Sequence, residues 1–156
     1  MVARTSAGGA ASTRPALGVA TSSTPGRVGC VRSPVVWLAT VHRTLQLPID
    51  DDAVGLLGRL GQQPFSPPNV GGWPTGVAWL TTAAALERLR YAMGVARRAD
   101  LSSVAGAAPT DRPGALARLL SVDGWSPASL AGLAAAAADP VKLTALGLVS
   151  PEYLVA

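Results

Sequence analysis

From Ser33 onward the apolar positions recur every three or four residues, a period that predicts helices. Val35, Leu38, Val41, His42 and Leu45 share one face of a first helix, expected from Pro34 to about Gln46 and ended by Leu47-Pro48. Asp50, Asp51 and Asp52 open a second helix carrying Val54, Leu57 and Leu60, with Gly61 placed to close it in the left-handed conformation. The longest helix is expected from about Thr81 to Arg98. Thr82, Ala85, Leu86, Leu89, Met93 and Ala96 fall on its apolar side, with Glu87 and Arg98 opposite. A polar stretch near Asp100 to Arg112 precedes shorter helices around Leu116 to Leu120, Leu130 to Ala138, Val141 to Leu148 and the C-terminal residues. No run of period two is long enough for a strand.

The helix starts carry their own signal. Ser33-Pro34, Ser126-Pro127, Asp139-Pro140 and Ser150-Pro151 each place a capping oxygen just before a proline. The oxygen accepts from an unpaired backbone N–H of the first turn, where proline sacrifices no bond. The pattern implies an all-α domain of about six or seven short helices with short connections.

One stretch breaks the helical pattern. Residues 64 to 79, PFSPPNVGGWPTGVAW, combine Pro64, Pro67, Pro68 and Pro74, which fix φ, with Gly71, Gly72 and Gly76, which permit positive φ. Phe65, Trp73 and Trp79 supply large apolar surfaces. These residues predict a long ordered loop pinned between helices by its aromatics, a structural plug or a recognition surface. Its glycines do not form a phosphate cradle, since no Gly-Lys-Ser/Thr follows and no strand precedes.

Composition narrows the picture. Hydrophobic residues make up 49% of the 156, charged ones 14% and aromatic ones 4%, which suits one helical domain packed through alanine and leucine. Residues 1 to 30 show no period and are expected to be a disordered or non-native tail, with the domain spanning 31 to 156. The net charge of +4 comes from Arg4, Arg14, Arg27 and Arg32; the rest of the chain holds nine basic and nine acidic side chains. No basic face is left for nucleic acid, so no such partner is expected. No apolar run is long enough to span a membrane, and the basic N-terminus lacks the apolar core of a secretory signal; a cytoplasmic location is the default expectation.

Candidate chemistry is sparse. Cys30 and His42 are each the single residue of their type, so neither an intrachain disulfide nor a cysteine-based zinc site can form, and no metal or cofactor is expected. His42 lies on the apolar face of the first helix with no carboxylate at helical spacing, which suits a half-buried histidine with one satisfied nitrogen. The three aspartates at 50 to 52 suit helix capping better than a cation, which needs oxygens arranged around one point. Arg88 and Arg90 flank the apolar stripe of the long helix, where stems cover apolar surface and heads reach water. Arg43 points away from the first helix's apolar face, as a partner-facing or solvated side chain. No catalytic residue is assigned; the binding candidates are Phe65, Asn69, Trp73, Trp79, Arg43 and Arg88.

Residues 60 to 92, LGQQPFSPPNVGGWPTGVAWLTTAAALERLRYA, resemble the C-terminal signature of the domain of unknown function 1800 family, a group of uncharacterised bacterial proteins. The matching elements are Leu60-Gly61-Gln62, Pro67 to Val70, Gly72-Trp73-Pro74, Trp79 and Arg88-Leu89. VRSPVVWLATVHRTL (residues 31 to 45) and the closing SPEY (150 to 153) are similar to further family segments. Val36 stands where the family often has an acidic residue, and His42 where it has an aliphatic one. The resemblance covers residues 31 to 156, with no counterpart for 1 to 30, and implies the C-terminal third of a longer protein whose His-, Asp- and Glu-rich motifs lie elsewhere. The expected role is therefore a non-catalytic interaction or structural module, a fragment or truncated paralogue. It would pack against the family's N-terminal region or another protein. The alternative is a hydrolase-like or anion-binding remnant in which His42, Asn69 and Arg43 or Arg88 converge on one pocket.

Overall fold

The computed structural model describes residues 30–155. The described residues form eight helices: α1 Pro34–Thr44, α2 Asp51–Arg59, α3 Thr82–Arg98, α4 Ser102–Ala105, α5 Arg112–Leu120, α6 Pro127–Ala135, α7 Pro140–Leu148 and α8 Pro151–Leu154. A 3₁₀ turn, Gly76–Trp79, interrupts the long connection between α2 and α3. The expected tail at residues 1 to 30 lies, apart from Cys30, outside the described residues.

All four Ser/Asp-Pro starts cap helices as anticipated. The side chains of Ser33, Ser126, Asp139 and Ser150 accept from the first-turn amides of α1, α6, α7 and α8. Asp50 does the same for α2 through Ala53 N at 3.0 Å, while Asp51 and Asp52 sit in its first turn, and Gly61 takes a φ of 78° after it. The polar stretch after residue 100 yields the one-turn α4, which periodicity did not reveal.

α3 and α7 pack most extensively against each other; α5, α6 and α8 surround α7, and α2 lies on α3. Leu143, Leu148, Leu116, Val104, Ala92, Val95, Leu56, Trp37 and Tyr153 form the centre of one core. Trp37 Nε1 donates to Leu148 O at 2.8 Å, fastening α1 to the end of α7. A β-bridge between Val31 and Val155 and a bond from Arg32 N to Leu154 O (2.8 Å) join the two ends of the described chain. Arg32 also lies 4.6 Å over the Tyr153 ring.

The buried helical faces depart from the sequence reading slightly in α1 and α2 and more in α3. In α1 Val35 is exposed and Trp37 completely buried; in α2 Val54 is exposed and Leu56 buried. In α3 Thr82, Ala85 and Leu86 are exposed, while Ala84, Arg88, Ala92, Val95 and Ala96 face inward. α1 and α2 otherwise bury the expected Leu38, Val41, His42, Leu45, Leu57 and Leu60; α3 alone is turned markedly, because its alanine stripe lets α7 approach more closely than leucine would.

Two side chains tie distant helix ends. Arg112 donates to Ala105 O at the end of α4 and Ala107 O just after it, and to Ala137 O and Ala138 O beyond α6. It thereby satisfies carbonyls that two helix C-termini leave unpaired. Glu152 performs the opposite task at an N-terminus. In a capping box the residue three positions into the helix bonds back to the cap's own N–H. At α6 that position is Ser129, and Glu152 of α8 supplies the carboxylate instead, accepting from Ser126 N at 3.0 Å and Ser129 Oγ at 2.8 Å. Burial pushes the Glu152 carboxyl up, but these hydrogen bonds outweigh it and hold the group at about 2.

Candidate functional site

The segment between α2 and α3 begins with a firm attachment. Gln62 Oε1 accepts from Val35 N at 2.9 Å, satisfying a first-turn amide of α1 that has no partner within the helix. Gln62 is thus a site residue that charge and periodicity could not single out. Beyond it residues 63 to 71 are all exposed. Asn69 Oδ1 accepts from Gly71 N at 2.8 Å and Asn69 O from Gly72 N at 3.1 Å, so Asn69 shapes a turn. Gly72 and Gly76 take φ of 87° and 59°, conformations open to glycine. Thr75 to Leu80 then wind through the 3₁₀ turn into α3, capped by Thr81.

The aromatics do not all anchor this loop, contrary to expectation. Trp79 is buried and Trp73 half-buried, but Phe65 is 99% exposed and held at a φ of 62°. Positive φ is uncommon for any residue with a β-carbon and unfavourable for a bulky one. Val70 and Val77 are also exposed, as are Leu80 and Leu86 at the entry to α3. Fixed backbone therefore presents apolar side chains to solvent instead of burying them. A cavity of about 550 Å³ lies beside the loop, lined among others by Val31, Gln62, Trp73, Pro74, Val77 and Trp79.

Behind Trp79 stands the largest departure from the sequence reading. Arg88 is only 1% exposed; its head does not reach water. Nη1 donates to Trp79 O at 2.8 Å, and the guanidinium lies 5.7 Å from the Trp37 ring. Among the described residues Nε and Nη2 have no hydrogen-bond partner, and burial lowers the guanidinium's pKa. None of the ion pairs among the described residues includes it. An unpaired buried cation carries a desolvation cost of several kcal/mol. The sequence held a signal for this placement: Ala84, Arg88, Ala92 and Ala96 recur at four-residue spacing, a small-residue stripe with the arginine in it.

The polar alternative lies on the other side of α3. A cavity of about 510 Å³ is lined by Asp52, Arg59, Glu87, Arg90, Tyr91 and Arg98, among others. Apart from Asp52, its charges are paired internally. Glu87 pairs with Arg59 and Arg90 at 2.9 Å each, and Arg98 pairs with Asp50. The Arg59 and Arg98 bonds hold the Glu87 and Asp50 carboxyls below their usual range. His42 is buried, with Nδ1 3.2 Å from Leu47 O and Nε2 2.6 Å from Tyr91 Oη, so both ring nitrogens are engaged where one was expected. Burial pushes the Tyr91 phenol up to about 12. Among the described residues no group of three or more His, Cys, Asp or Glu is gathered to hold a metal ion.

Of the six binding candidates, Phe65, Asn69, Trp73 and Trp79 belong to the loop, and Arg88 supports it from behind. Arg43 is exposed near the end of α1 and lines neither cavity. His42 and Asn69 share no cavity lining, and both are occupied by local bonds.

The fold and site define an all-α domain bearing an exposed, conformationally restricted apolar loop. The chain belongs to the family described as Protein of unknown function (DUF1800), which matches residues 19–155. The match begins upstream of residue 31, so part of the stretch expected to have no family counterpart belongs to it; residues 19–29 lie outside the described ones. No curated protein and no solved structure matches the chain. Among the described residues no helix is long and apolar enough to cross a membrane.

Proposed function

We propose that this chain is a non-catalytic interaction module that binds protein through the face formed by residues 64 to 80. The observation that carries the reading is the exposure of Phe65, Val70 and Val77 on a loop whose four prolines restrict its shape. Large side chains presented on fixed backbone lose little entropy on docking. The loop holds no acid or base to activate the hydroxyls of Ser66 and Thr75, which favours recognition over chemistry. The partner is protein supplied from outside the described residues, either another region of a longer family member or a separate chain.

The test is binding of an anilinonaphthalene sulfonate dye by the full chain under native conditions. Fluorescence should rise with the folded chain and fall when Phe65, Val70 and Val77 are all changed to Ser, with the melting temperature unchanged. A cooperatively melting wild-type chain that leaves the dye dark overturns the proposal.

A further inference from the structure

We propose that the cavity between α2 and α3 binds a short zwitterionic peptide, its carboxylate at Arg59 and Arg90 and its ammonium at Asp52. This is a second site, apart from the 64–80 loop, and stands whether or not that loop binds protein. Two ion pairs set its geometry. Arg59, the last residue of α2, pairs with Glu87 near the start of α3. Asp50, the cap of α2, pairs with Arg98 at the end of α3. The two helices therefore run antiparallel along the cavity, and its two ends carry different charged groups.

Pairing is unequal at those ends. Glu87 alone faces both Arg59 and Arg90, which leaves one net positive charge there. Each arginine spends a single nitrogen on that carboxylate, Nε of Arg59 and Nη1 of Arg90, and both side chains are more than half exposed. Their remaining N–H groups are open to a second carboxylate without any rearrangement. At the other end Arg98 and Asp50 cancel, and Asp52, which lines the cavity, has no ion pair among the described residues. The net charge there is negative. Asp52 and Arg59 lie at opposite ends of α2, about 10 Å apart along its axis. A free amino acid carries both charges on one carbon and cannot reach both ends. Three extended residues, at about 3.4 Å each, can.

Gly94 lines the cavity on α3 between Arg90 and Arg98. A β-carbon there would meet nothing within 4 Å, so packing does not call for glycine, and in a helix interior glycine is less stable than alanine. Its effect is an open floor over which a peptide backbone can lie. Tyr91, whose hydroxyl is engaged with His42, adds an aromatic wall. The volume of about 510 Å³ falls within the range of about 300–1,000 Å³ that suits small ligands.

The experiment titrates triglycine onto the full chain and follows amide resonances by NMR, beside glycine, N-acetyl-triglycine and triglycine amide. Triglycine should shift the Arg90 and Gly94 amides saturably in the millimolar range. Glycine and each blocked peptide should bind about 3- to 10-fold more weakly or not at all. Asp52→Asn should remove the advantage of triglycine over its acetylated form, and Arg90→Gln should reduce its advantage over the amide. Both residues are exposed, so neither exchange disturbs the core. Gly94→Ala should raise the melting temperature yet weaken triglycine, a combination that a purely structural glycine does not give. Absence of a saturable shift with triglycine, or equal affinity for glycine and the blocked peptides, overturns the proposal. So does triglycine binding that Asp52→Asn and Arg90→Gln both leave unchanged.

Discussion

Glu152 makes the sharpest test of how the fold is closed. Its carboxylate replaces the missing third-position acid of the α6 capping box, and the Ser126 and Ser129 bonds hold it at about 2 against 4.5 for an ordinary glutamate. At about 1.4 kcal/mol per unit this would amount to about 3 kcal/mol. The group is only partly withdrawn from water, so screening reduces the contribution to about 1–2 kcal/mol. A folded-state value below the unfolded one means that the stabilisation is complete above about pH 5. It fades as the pH falls from there through about 2, below which the carboxyl is protonated in both states. The perturbation is Glu152→Gln, which keeps the shape and removes the charge. Thermal and urea melts of wild type and variant from pH 7 to pH 2 should show a gap of about 1–2 kcal/mol at neutrality, roughly 4–10 °C in Tm for a domain of this size. The gap should close in acid, and other acids common to both chains cancel in the difference. Coincident melts at every pH, or a gap that persists at pH 2, would refute the clasp.

Replacing Arg112 with Met strands carbonyls beyond α4 and α6 and should cost about 2–4 kcal/mol in urea unfolding, far more than a surface arginine. Trp37→Phe removes the donor to Leu148 O and leaves a cavity at a completely buried site; a loss of about 2–4 kcal/mol is expected by the same assay. Phe65→Gly should leave stability unchanged or raise it by up to about 1 kcal/mol, because glycine relieves the positive φ and no packing is lost; the same variant should lower dye binding by the folded chain.

The SPEY segment shows how much a sequence can hold without revealing it. Ser150 and Pro151 are legible as a cap and a first helical residue, a rule that needs only the next three positions of the chain. What Glu152 and Tyr153 do depends on Ser126 and Arg32, far away in sequence, and no local pattern encodes that pairing. Arg88 marks the same boundary within the candidate site. A charged residue beside an apolar stripe reads as solvated, and only the close approach of Trp37 and Trp79 across the alanine face of α3 encloses it.

By itself, then, the sequence determined the all-α class, the capped helix starts, the family and the position of the restricted loop, because capping, backbone restriction and the period of a helix are local properties. Tertiary structure decided which side of α3 faces inward, that Arg88 is buried, and that Phe65 points outward instead of pinning the loop. Those outcomes depend on which surfaces meet, and a helix of alanines and leucines offers more than one face that can be buried.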